Sequence, residues 1–150
     1  MAKVPSSSAV DSFLYAMVAT RPGIAFAMGV VSKFMANISK KHWDAMKHLL
    51  RYLKDIGSKC LCLGNSEASI VGYTDADYAD CVDTRKSTLG YVFLFAGVVV
   101  FWRSILQICT WSSTTKSEYN AISSANKEPV WLARLVGDLG IHHILVFALQ

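Results

Sequence analysis

Acidic residues gather in one short stretch, Val71-Gly-Tyr-Thr-Asp75-Ala-Asp77-Tyr-Ala-Asp80, and return in Ser117-Glu118-Tyr119 beyond an Arg-Lys-Ser-Thr turn and two apolar runs. A carboxylate closing a buried strand and a second on the helix after a hairpin can hold Mg²⁺ against a phosphate. Such a cation needs more oxygen ligands than Asp75 and Glu118 supply, and no Asp or Glu follows Asp138. Asp77 lies one alternation beyond Asp75 and points to the same face of a strand. It reads either as an outer metal ligand or as a carboxylate closing the strand-end turn.

The elements that must position these residues fall into two zones. Residues 8–56 carry a helical pattern. Thr20 is placed to cap a helix whose first turn holds Pro22, with Ile24, Met28, Val31 and Met35 on one face. Ser39 is placed to cap a further helix from Lys40 to Asp55, with Trp43, Met46, Leu50 and Leu53 inward and Lys40, Lys41, Lys47, Arg51 and Lys54 on the other face. Gly57 ends it. Beyond, the period shortens: Cys60–Leu63 and Ser69–Thr74 read as strands, and Ser87–Phe95 with Val98–Trp102 as a hairpin about Ala96-Gly97. Gln107–Trp111 reads as a further short strand. Ser112 to Thr115 supply caps for a helix through Glu118, Ala121, Ile122 and Ala125. Pro129 then forces a break or restart, placing Trp131, Leu132, Leu135 and Val136 on the next helical face; Gly140 stops it and Ile144–Leu149 is a last strand. The expected domains are a helical segment, 1–57, and an α/β domain, 58–150.

An apolar fraction of 53% is high for a chain of 150 residues and suggests either a fragment of something larger or a chain that hides surface on a partner. The net charge of +4 is spread without a basic block, so nucleic acid is only weakly indicated as a partner. Cys60, Cys62, Cys81 and Cys109 form no CxxC pair and sit at no zinc-finger distance from His42, His48, His142 or His143, so buried reduced thiols are expected. No apolar run is long enough to span a membrane. Lys3 followed by Ala9–Ala19 has the layout of a short signal sequence, although Asp11 interrupts its apolar part.

The block GYTDADYAD, DTRKSTLGYVFLFAG, TWSSTTKSEYNAISSANKE and WLARLVGDLG resembles the ribonuclease H domain of Copia-type retrotransposon polyproteins. The upstream block from Ala9 to Lys54 is similar to the end of the reverse transcriptase that precedes that domain. The resemblance implies a ribonuclease H-like mixed sheet with helices, here truncated and preceded by the helical segment. It also implies hydrolysis of RNA in RNA–DNA hybrids by two metals held between four carboxylates. Asp75 matches the first carboxylate and Glu118 the second. The third is expected on the strand read as Ile144–Leu149, which carries no acid, and the fourth beyond Gln150. Asp80-Cys81 stands where Gly-Asp is usual, Lys116 where an acid precedes Glu118, Pro129 where a helix former is usual, and Gly23 where an acid would complete the cap begun by Thr20. On this reading Asp75 and Glu118 are a vestigial, partly buried pair, and no cofactor is required; Mg²⁺ would matter only if hydrolysis survives.

The same segment is similar to oomycete secreted RxLR effectors. The RxLR-like motif falls on Arg51-Tyr52-Leu53-Lys54 and departs from the signature at its last position. The resulting expectation is a catalytically inactive ribonuclease H-like protein that acts by binding, as a secreted effector entering plant cells and suppressing defence or cell death. Its host partner would meet exposed apolar surface near Trp131, Leu135 and Leu145. The alternative is a retrotransposon ribonuclease H fragment, which would be intracellular.

Overall fold

The computed structural model describes residues 6–34, 39–60, 68–142 and 144–149. The chain divides into two compact units, 1–61 and 62–150.

The first unit is helical: α1 (Ser6–Ala19), a 3₁₀ turn (Pro22–Ile24), α2 (Ala25–Ser32) and α3 (Lys40–Asp55). Val10 and Phe13 on α1, Ile24, Met28 and Val31 along the turn and α2, and Met46 on α3 form its buried core, with Met17, Trp43, Leu49 and Leu53 packed against them. Thr20 caps no helix. Its amide closes α1 on the Ala16 carbonyl at 3.1 Å, and the following turn begins at Arg21, held out of the helical region by Pro22. Met35 lies outside the described residues. In α3 the inward stripe runs through Met46, Leu49 and Leu53, and Leu50, expected inward, is 47% exposed. Ser39 does precede α3, and its amide donates to His42 Nδ1 at 3.0 Å. The imidazole thus takes the place of the usual Glu or Gln of a capping box, and it stacks on Phe34 with centroids 4.4 Å apart.

The second unit is α/β. Strands β1 (Ser69–Ala76), β2 (Thr88–Phe95), β3 (Val98–Leu106) and β4 (Ile144–Leu149) form one mixed sheet in the order β3-β2-β1-β4, with β1 antiparallel to β2 and parallel to β4. Ala96 and Gly97 turn the β2–β3 hairpin with φ of 50° and 76°, the pair of positive angles that matches the twist of two-residue hairpins. Helices α4 (Thr114–Ala125) and α5 (Lys127–Asp138) lie on one face. The small residues Ser117, Ala121 and Ala125 face inward on α4, which lets its backbone approach the layer of Leu89, Tyr91 and Phe93 closely. Pro129 produces a restart: α5 begins two residues before it, and the proline is buried in its first turn. On α5, Val136 is buried and Leu132 half-buried, whereas Trp131 is 59% and Leu135 41% exposed, so the inward stripe is narrower than the apolar pattern implies. Gly140 ends the helix with φ of 75°.

Two other expectations fail. Gln107–Trp111 is not a strand: β3 continues to Leu106, and Gln107 then leaves the sheet to bond elsewhere. The thiols of the described cysteines are not buried either. Cys60 and Cys109 are exposed and Cys81 is half-buried, and none of the three is in a disulfide. Cys62 and most of the run Cys60–Leu63 lie outside the described residues, and Cys60 itself is not in a strand. Among the described residues no helix is long and apolar enough to cross a membrane.

Candidate carboxylate site at one end of the sheet

Asp75 is the penultimate residue of β1, paired with Gly90. The adjacent pairs Thr74–Tyr91 and Ala76–Leu89 belong to the face that α4 and α5 cover. By alternation Asp75 stands on the opposite face, where Gly90 contributes no side chain and a Cβ would meet open space. Its Oδ1 accepts the Ala76 amide at 2.8 Å.

Glu118 is brought to the same end of the sheet by a polar network that the sequence pattern concealed. Ser87, Gln107 and Ser117 are 1%, 3% and 0% exposed. The Gln107 amide donates to the Ser87 carbonyl at 2.8 Å, anchoring the residue after β3 to the start of β2. Gln107 Nε2 donates to the Ser117 carbonyl at 3.0 Å, and Oε1 accepts Trp111 Nε1–H. Ser87 Oγ accepts the Ala79 amide at 3.2 Å, reaching the loop after β1. Since Ser117 immediately precedes Glu118, this network holds the first turn of α4 at the end of the sheet where β1 closes. The N-terminus of α4 is capped by Ser113, whose Oγ accepts the Lys116 amide at 3.4 Å. The only advance signal was a glutamine and a tryptophan four apart between an apolar run and a capping sequence, which reads equally well as a strand.

Asp75 and Glu118 are both exposed, not partly buried. Asp77 serves the turn: its Oδ1 accepts the Thr88 amide at 2.8 Å and its own amide donates to the Thr88 carbonyl at 3.1 Å. Between those bonds Cys81 to Lys86 form a tight loop, with Arg85 at φ 53° and its amide on the Cys81 carbonyl at 2.6 Å. Thr74 Oγ1, beside Asp75, is buried with no hydrogen-bond partner among the described residues. The donor set at this end of the sheet is therefore Asp75 and Glu118, and among the described residues no group of three or more His, Cys, Asp or Glu converges. Exposed carboxylates of this kind can accept the waters of a hydrated Mg²⁺.

The RxLR-like tetrapeptide lies within α3. Arg51, Tyr52 and Lys54 are exposed, and Leu53 packs against the core of the helical unit. Of the basic residues on that helix, Lys47 bonds Asp44 at 2.6 Å, which holds the Asp44 carboxyl below its ordinary value.

The chain is 53% identical over 95% of its length to the Retrovirus-related Pol polyprotein from transposon TNT 1-94 of Nicotiana tabacum, and 44% identical over 88% to Secreted RxLR effector protein 161 of Plasmopara viticola, of which it covers 94%. Its homologues are Copia-type retrotransposon Pol polyproteins and an RxLR effector. A third relative, the Pol polyprotein of transposon RE2 from Arabidopsis thaliana, is 33% identical over 81% of the chain. The chain spans 11% of the TNT 1-94 polyprotein and 8% of that of RE2. No protein-family profile matches it, and no solved structure does.

Proposed function

We propose that this protein is a ribonuclease H-like scaffold that has lost hydrolysis and works by binding, as a secreted effector of the RxLR type that enters plant cells and suppresses defence or cell death. The observation that supports the loss of catalysis is that no three carboxylates converge among the described residues, and that Asp77, the acid two residues after Asp75, is committed to the Thr88 amide. The effector reading is supported by the relative from Plasmopara viticola, matched over 94% of its length. Its candidate contact residues are the exposed Trp131 and Leu135 on α5 and Leu145 on β4, at 59%, 41% and 40%, apolar side chains of the kind that mark association sites.

The test is transient expression in leaf cells challenged with a death elicitor. Suppression of cell death is expected, weakened by Trp131→Ser with Leu135→Ser. Unchanged death with the protein demonstrably present defeats the effector reading.

A second reading is favoured by one feature, the placement of Asp75 and Glu118 at the same end of the sheet. In it the chain is a retrotransposon ribonuclease H segment hydrolysing RNA in RNA–DNA hybrids. Incubation with a labelled hybrid in Mg²⁺ or Mn²⁺ separates the two: cleavage that Asp75→Asn abolishes establishes the second reading and overturns the first.

A further inference from the structure

A cleft of about 420 Å³ opens beside edge strand β3, between its C-terminal half and the α4–α5 junction. That is the size of a small-ligand site. Leu89 and the buried Tyr91 lie at its base, and Trp111 lines it with the indole N–H already committed to Gln107, leaving the ring as apolar surface. Two exposed cations stand on the rim, Arg103 from β3 and Lys127 from the start of α5, against one carboxylate, Glu128. Two of these rim charges bear on the Tyr91 hydroxyl, the Arg103 guanidinium favouring its ionised form and the Glu128 carboxylate opposing it. Burial holds that phenol above its ordinary value of 10.0, so it is neutral at physiological pH.

The cleft is separate from the carboxylate pair. Ser117, Ala121 and Ala125 define the inward line of α4. At roughly 100° per residue, Asn120 and Ser124 fall to one side of that line and Glu118 to the other. Asn120 and Ser124 line the cleft.

An apolar, aromatic-lined slot beside a guanidinium and an ammonium suits a ligand that is flat and apolar on its faces and anionic at one end. Bases stack on aromatic rings whatever their identity, and phosphate oxygens are favoured partners of both cations. We propose that this cleft binds a nucleotide, with the base against Trp111 and the apolar floor, the phosphate at Arg103 and Lys127, and the Asn120 amide on the base edge or sugar. The nucleotide is either free or the 5′-phosphorylated end of a single strand; the chemistry is the same.

Calorimetric titration of the full chain with AMP, adenosine, inorganic phosphate and a 5′-phosphorylated oligo-dA tests this. AMP is expected to bind about tenfold more tightly than adenosine or phosphate alone, since each lacks one half of the contact. Arg103→Gln and Lys127→Gln should each weaken AMP about fivefold, while Asp75→Asn with Glu118→Gln leaves it unchanged. A tighter oligonucleotide than AMP assigns the site to strand ends, and the converse to free nucleotide. No binding at millimolar AMP, adenosine as tight as AMP, or full AMP affinity in a folded Lys127→Gln variant overturns the proposal.

Discussion

Replacing Gln107 by leucine should reveal what holds the first turn of α4 to the sheet. The side chain is 3% exposed and makes two hydrogen bonds, one to the Ser117 carbonyl and one from the Trp111 indole. Leucine preserves most of the volume and removes both. The Ser117 carbonyl, inside α4, keeps its intrahelical bond from the Ala121 amide and loses its second donor, at a cost of about 0.5–1.5 kcal/mol. Trp111 is half-buried, so its N–H recovers part of its loss from water and adds roughly 1 kcal/mol. The Gln107 amide bond to Ser87 is made by the backbone and survives the substitution. The sum is about 1.5–2.5 kcal/mol, or roughly 10-fold to 70-fold in the opening equilibrium. Because the chain divides into two compact units, a global melting curve would mix any separate transitions. Native-state hydrogen exchange at the amides of β2 and α4 reads the right unit, and their protection should fall by that factor while α3 is unaffected. Trp111→Phe should cost about 1 kcal/mol, and the pair should show a coupling of at least ~0.5 kcal/mol in a double-mutant cycle. Loss of less than about threefold in protection for Gln107→Leu would refute the claim that this network positions Glu118.

Further outcomes follow from individual residues. Met46→Ala, at a position 1% exposed in the helical unit, should destabilise α1–α3 by about 2–5 kcal/mol, read by exchange in α3. Ala96→Asn should stabilise the hairpin by about 0.5–1 kcal/mol, because Ala96 sits at φ 50°, where asparagine is tolerated better than alanine; urea denaturation checks it. Tyr91 has a folded-state pKa above 10.0, so its contribution is intact below pH 10.0 and is lost as pH rises through the folded value. The stability of the wild type relative to Tyr91→Phe should therefore be level through neutral pH and decline only above that point. Adding millimolar Mg²⁺ should leave the melting temperature unchanged, and a rise that Asp75→Asn removes would show that the carboxylates hold metal more firmly than their exposure implies.

Much of the fold was legible in the residues alone, because it rests on local signals. Period-two runs bounded by turn residues marked β1 and the hairpin, Ser39 and Ser113 stood where helices begin, and Gly140 where one ends. The motif around Asp75 and Glu118 carried the ancestry, since it depends only on residue type and order. Three-dimensional packing decided the rest. Which leucine of α3 turns inward depends on where α1 and α2 lie, so Leu49 is part of the core and Leu50 is not. Whether Gln107 continues a strand or leaves it depends on a buried carbonyl of α4 ten residues away that only the folded chain brings near. Burial of the thiols and of the carboxylate pair depended likewise on which surfaces the elements cover, and folding left Cys60, Cys109, Asp75 and Glu118 in water. Residue type and spacing set the local conformations and the lineage; which polar groups are buried, bonded or left open was settled by contacts between segments far apart in the chain.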